Sequence, residues 1–123
     1  MDITNIELFK PILEFKSESL HVDLHNDFTC VGLDYSCNNL ALKLQKDNGD
    51  GHVILQFTNV NILRMQIKLQ DKGLTLDNFH RGRYEFEGKL YDEYNEKKCF
   101  YIEFYEGGAI DLLCRTALIQ LIW

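Results

Sequence analysis

The groups of this sequence that could do chemistry are its histidines, its cysteines and its many carboxylates, and their spacing decides what kind. The densest motif is His21-Val22-Asp23-Leu24-His25. On a strand its three polar side chains share one face, but at about 3.3 Å per residue the two histidines are then roughly 13 Å apart. Metal bonds near ~2 Å require donor atoms within about 4 Å of each other. On a helix the same pair would be neighbours, as in metalloprotease helices. Leu20, Val22 and Leu24 would then scatter around the helix, so the motif reads as the solvated face of a strand. Asp47-Asn48-Gly49-Asp50-Gly51 invites comparison with a calcium loop. An EF-hand loop needs an oxygen side chain at its third position and glutamate at its twelfth. Gly49 and Thr58 stand there, so the segment reads as a hairpin turn. Cys30, Cys37, Cys99 and Cys114 form no C-x-x-C pair, which argues for four structural thiols rather than a zinc or redox site. There is no G-x-S-x-G elbow and no P-loop. Gly107-Gly108 lies between strands and does not open a helix. His80, Arg81 and Arg83 make a small basic spot that could meet an anion or simply be solvated. No enzymatic activity, cofactor or metal is implied.

A chain of 123 residues is one domain's worth and can bury a core without staples. With 46% hydrophobic and 26% charged residues it reads as globular rather than disordered. Its formal charge of −6 repels phosphate backbones and anionic membranes, and steers a basic protein partner toward it. Nucleic acid and membrane are therefore not expected partners. No apolar run is long enough to span a bilayer, and Met1 to Lys10 lacks the pattern of a signal peptide. The expected location is cytoplasmic, with reduced cysteines.

The elements that must position these groups follow from hydrophobic period. Asp2 to Phe15 is the one helix candidate: Thr4-Asn5-Ile6-Glu7 has capping-box spacing, and Ile6, Phe9 and Leu13 recur near helical spacing. Pro11 should bend or end that helix. From Leu20 the period becomes two. Leu40, Leu42 and Leu44 alternate with polar neighbours, as do Val53, Leu55 and Phe57, then Leu63, Met65, Ile67 and Leu69. Tyr84, Phe86 and Leu90, then Phe100, Ile102 and Phe104, and finally Ile110, Leu112 and Cys114 continue the pattern. Hairpin-sized connections make these strands antiparallel. The expectation is a single mainly-β domain over residues 1–123: an antiparallel meander of seven or eight strands forming a sandwich or partly open barrel, with a short N-terminal helix. Asp71 to Gly82 is the expected long loop. Ala117 to Trp123, apolar at both parities, is expected as a strand, either docked in the core or offering a sticky edge for a homodimer.

Register then suggests a site. A three-residue loop, Glu106 to Gly108, sets Phe104 against Ile110, Ile102 against Leu112 and Phe100 against Cys114. Glu103 falls opposite Asp111. Pairing Phe86 with Phe104 brings Glu87 opposite Glu103. The result is an acidic row, Glu87, Glu103 and Asp111, flanked by Tyr101 and Tyr105. Like charges placed opposite each other destabilise a sheet by about 0.2–1 kcal/mol per pair, so a binding role for the row is one reading and a wet outer face is the other.

The run Leu40-Ala41-Leu42-Lys43-Leu44, the polar turn, and Val53-Ile54-Leu55-Gln56-Phe57-Thr58-Asn59-Val60 resemble an opening found in small bacterial all-β proteins. Phe100 to Phe104, Gly107-Gly108 and Ile110 to Cys114 extend the likeness over most of residues 37–123. The resemblance is to small acidic immunity proteins and uncharacterised domains of that type, and it implies an inhibitor that binds a toxin. The expected function is non-enzymatic binding of a basic protein partner through Glu87, Glu103, Asp111, Tyr101 and Tyr105. The alternatives are a small-ligand-binding or enzymatic barrel lined by Tyr84 and Phe86 with His52 or His80 at its mouth, and a structural homodimer.

Overall fold

The computed structural model describes residues 1–17, 19–68 and 70–122, and the sequence alternation becomes twelve antiparallel strands among them. These are β1 (Glu14–Ser17), β2 (Leu20–Asp23), β3 (Phe28–Ser36), β4 (Asn39–Lys46), β5 (His52–Thr58), β6 (Asn61–Gln66), β7 (Leu76–Gly82), β8 (Tyr84–Phe86), β9 (Lys89–Tyr91), β10 (Lys98–Phe104), β11 (Ala109–Cys114) and β12 (Thr116–Ile122). One four-stranded sheet has the order β12-β5-β4-β3, the other β6-β11-β10-β7, and β1-β2 and β8-β9 are separate hairpins. The strands do not close into a barrel.

Period-two alternation sets what is buried. Leu40, Leu42 and Leu44 lie opposite Phe57, Leu55 and Val53, and all six are buried. On the second sheet Phe100 and Ile102 lie opposite Leu112 and Ile110, also buried. The two apolar faces share one core. Its centre is a triangle of rings, Phe57 from the first sheet with Phe79 and Phe100 from the second, at centroid separations of 5.9–6.0 Å. Aromatic pairs prefer such tilted contacts at this range.

One ribbon links the sheets. β5 pairs with β12 up to Thr58 opposite Thr116, and β6 pairs with β11 from Asn61 opposite Leu113. The same register therefore continues from one sheet into the other as far as Ile62 opposite Leu112, bent at Asn59-Val60 and Arg115. Asn59 takes φ 51°, a left-handed conformation that asparagine tolerates better than most residues. The Arg115 amide donates to the Thr58 carbonyl at 2.9 Å, and the Thr58 and Thr116 hydroxyls bond to each other across the bend.

The strands number twelve among the described residues rather than seven or eight, and three further sequence expectations are corrected. Asp2 to Phe15 is not helical. The Thr4 hydroxyl, which would cap that helix, instead accepts the Ala117 amide at 2.9 Å, while the Ile3 amide donates to the Ala117 carbonyl and the Ile119 amide to the Met1 carbonyl. Farther on, the Phe9 and Ile12 amides donate to the Arg81 and Phe79 carbonyls. This segment finds its hydrogen bonds along two sheet edges, and that tertiary pairing overrides local helix propensity. Second, Asp71 to Gly82 is not one long loop, because β7 pairs along β10. Third, the strands do not form a simple meander: β10 has β7 rather than β8 as its second neighbour, and β12 returns to the first sheet. The C-terminal run is a strand, as its composition suggests. Trp123 lies outside the described residues, as does Leu69 of the β6 alternation.

Because Phe79 is fully buried between the sheets, Phe79→Ala is expected to lower unfolding free energy by about 3–5 kcal/mol in urea titration. A loss below about 1 kcal/mol would contradict a core centred on the three rings.

Candidate binding surface

The proposed acidic row does not form. Parity holds, since Phe100, Ile102 and Phe104 face inward with Ile110, Leu112 and Cys114, but the register is two residues away from the expected one. Phe100 pairs with Leu112, Glu103 with Ala109, and Tyr101 with Asp111. The turn is Tyr105-Glu106-Gly107, closed by the Phe104 amide on the Gly108 carbonyl at 3.1 Å. Two constraints select it. Gly107 takes φ 98°, as the left-handed third position of such a loop requires. The Glu106 carboxylate accepts both the amide and the hydroxyl of Thr75, each at 2.7 Å. That clamp leaves Tyr105 73% exposed at the tip.

The five residues therefore have separate environments. Asp111 is largely covered, with a side chain 16% exposed, and its Oδ2 accepts Arg64 Nε at 3.0 Å. Glu103 is exposed between Ala109 and Asn78. The Tyr101 ring lies over Gly82, where an added Cβ would come within 2.5 Å of it, and stacks on His80 at 5.5 Å. Its hydroxyl donates to the Arg83 carbonyl at 2.6 Å. Burial first, then Cys99, Asp111 and Glu85, hold the Tyr101 hydroxyl protonated well above the usual phenol range. Glu87 is on another element altogether, the β8-β9 turn.

That hairpin is where acidic and aromatic residues concentrate. From Tyr84 to Glu96, five carboxylates stand against one lysine, Lys89. Tyr94 is the hub of a small aromatic cluster, with centroids 5.0 Å from Tyr84, 5.5 Å from Phe86 and 5.4 Å from Tyr91. These rings stand apart from the main core. On the opposite face Glu85 pairs with Leu90, which is 63% exposed. Cations hold the base of the hairpin. Arg83 bonds Asp92 at 2.7 Å with its guanidinium over the Phe9 ring, Lys98 bonds Glu93 and Arg115 bonds Glu96. Arg81 donates to the Ile6 and Asp92 carbonyls, so the expected basic spot is spent on structure. Among the described residues Glu85 and Glu87 have no ion-pair partner, so they carry the exposed charge.

The turns are unusual in composition. Glu87 and Gly88 join Phe86 to Lys89 with φ 51° and 77°. Asn95 and Glu96 join Tyr94 to Lys97 with φ 51° and 64°. Two-residue turns of this hand favour Asn, Asp and Gly, so each glutamate occupies a position its side chain disfavours.

The remaining groups have structural partners. His21 lies 3.2 Å from Glu14, whereas His25 Nδ1 meets the Leu76 carbonyl at 2.7 Å, so the two rings serve different partners. Asp47 to Gly51 joins β4 to β5, and Asp47 accepts the Thr29 hydroxyl at 2.6 Å. Burial pushes the Cys114 thiol up to about 12 and raises Cys30 and Cys99, which keeps these thiols protonated and inert. Cys37 is exposed in the β3-β4 turn. Tyr84 and Phe86, proposed to line a barrel, sit on β8 outside the core, while His52 and His80 lie on different sheets. Tyr84, Phe86 and Leu90 are expected on one strand, but Glu87-Gly88 splits them between β8 and β9, and neither that turn nor Tyr94 as aromatic hub follows from the alternation.

No known protein family and no curated protein matches the chain.

Two outcomes test this geometry. Glu87→Asn should stabilise the hairpin by up to about 1 kcal/mol, read from slower amide exchange in β8 and β9, because asparagine tolerates the left-handed turn. Burial opposes ionisation of Glu106, but the Thr75 bonds outweigh it and hold the carboxyl below its usual range. Its contribution is thus fully present above the unfolded value and lost as pH falls through the folded one. Glu106→Gln should lower the melting temperature at neutral pH, with the gap to wild type closing as pH falls through the lowered carboxyl range of the folded state. A gap that persists in acid would contradict the clamp.

Proposed function

We propose that this chain is a non-enzymatic binding domain for a basic protein partner. On this reading its two stacked sheets serve as a sandwich-like scaffold, and the β8-β9 hairpin is the contact surface. The observation that carries the reading is the coincidence, on one hairpin, of exposed apolar residues Phe86 and Leu90 with the unpaired carboxylates Glu85 and Glu87. Apolar and aromatic groups supply contact area, and the surrounding charge steers approach and selects sign. The base cations pre-organise the hairpin, which reduces the ordering cost of binding. Of the residues expected from sequence, Glu87 lies within this surface, and Tyr101 supports it through the Arg83 carbonyl. Tyr105 and Glu103 lie on a second exposed stretch, and Asp111 serves the Arg64 pair. An inhibitor of a toxin, the role implied by the resemblance to immunity proteins, is one form of this function.

An octa-arginine peptide titrated at low salt is a suitable probe, followed by amide chemical shifts. The expected shifts concentrate between Arg83 and Lys97. Glu85→Lys with Glu87→Lys should weaken binding by about tenfold or more, equivalent to roughly 1.4 kcal/mol. The control Asp34→Lys with Asp50→Lys, which changes net charge equally, should weaken it far less. Shifts spread evenly over the acidic surface, or equal losses in both variants, would overturn the assignment.

A further inference from the structure

The edges of the two four-stranded sheets are treated unequally. The outer side of β12 is covered from Ala117 to Ile119 by the backbone of Met1 and Ile3 and by the Thr4 hydroxyl. The outer side of β7 receives the Phe9 and Ile12 amides. β3 is tied at Cys30 by two backbone bonds with Leu74, and its open half carries Asp34. β6 is different. Among the described residues, none of its backbone groups bonds outward to a loop or another strand. Leu63 and Met65 are 39% and 37% exposed along it. An open edge of this kind is a template for strand addition, and natural sheets usually guard it with charge. The charge on β6 is Arg64, and the Asp111 carboxylate 3.0 Å away neutralises it.

We propose that the β6 edge pairs with the β6 edge of a second copy of this chain, joining two four-stranded sheets across a two-fold axis. Charge favours that occupant. The chain carries a net −6, so copies repel wherever their carboxylates meet. β6 lies in the acid-free run between Asp50 and Asp71, the longest in the sequence. The strand is also self-complementary. Ile62 and Met65 point to the inner face opposite Leu112 and Ile110, while Asn61 and Gln66 point outward opposite Leu113 and Ala109. Antiparallel pairing about the middle of β6 sets Ile62 against Met65 of the second copy and Asn61 against its Gln66. Ile62 meets Met65 and Asn61 meets Gln66, Leu63 falls opposite Arg64, and no like charges stand directly opposite each other. The extra residue at Leu63, where β6 bulges against β11, projects an apolar side chain beside this seam. The dimer forms through β6 and not through the C-terminal strand, whose edge is partly taken.

Sedimentation equilibrium of the full chain over a wide concentration range tests this. The expected result is a dimer for wild type and for Ile122→Lys. Leu63→Lys with Met65→Lys should be a folded monomer. A wild-type monomer at the highest soluble concentration, or a double variant that remains dimeric, overturns the proposal. If the double variant unfolds, amide exchange of the wild type decides. Protection of residues 61–66 should rise with protein concentration, and protection independent of concentration overturns the proposal. The hairpin variants above should leave the dimer intact, which separates the two surfaces.

Discussion

The contact between Phe57, Phe79 and Phe100 is the constraint on which the rest of the molecule depends. It lies at the centre of the one core in which both sheets bury their inner faces. It forms inside a bend, because one continuous ribbon supplies both sheets: β5 and β12 on one side of Asn59 and Arg115, β6 and β11 on the other. The register of that ribbon carries the inward faces across the bend from one sheet to the other, up to the bulge at Leu63. The N-terminal segment then takes the hydrogen-bonding positions left along β12 and β7, which is why it is not free to be a helix.

Outside this core the chain builds something different. β8-β9 and the turn that follows it carry their own aromatic cluster around Tyr94, and arginine and lysine side chains fasten them at the base. Both turns place glutamate where glycine or asparagine would fit the backbone better. Such a choice costs of order 1 kcal/mol per site, yet it fixes carboxylates at defined positions. That surface is acidic and partly apolar. The buried thiols and the separately paired histidines contribute no nucleophile or base to it.

Much of the fold was legible because period-two alternation reports burial directly. Leu40, Leu42, Leu44, Val53, Leu55 and Phe57 could be assigned to one face before any pairing was known. The parity of the β10-β11 hairpin was legible too. Its exact register was not, because Glu106 is held by Thr75 from a distant stretch, and local pattern contains no trace of that bond. The same long-range cause hid β7, whose alternation is broken by the inward-lying Arg81, and erased the N-terminal helix, where Thr4 serves β12. The acidic row failed for this reason: Glu87 was paired to the nearest strand in sequence, whereas β10 chose β7. Acidic and aromatic residues concentrate elsewhere, on the β8-β9 hairpin and the turn that follows it.

The molecule divides into a two-sheet core and an appended hairpin held by its own aromatic cluster and the ion pairs at its base. Residue-resolved amide exchange under native conditions measures that separation directly. Amides of β4, β5, β10 and β11 should exchange only through global unfolding, and those of β8 and β9 orders of magnitude faster, through local opening. Equal protection across both sets would show that hairpin and core open as one unit, and would contradict the account.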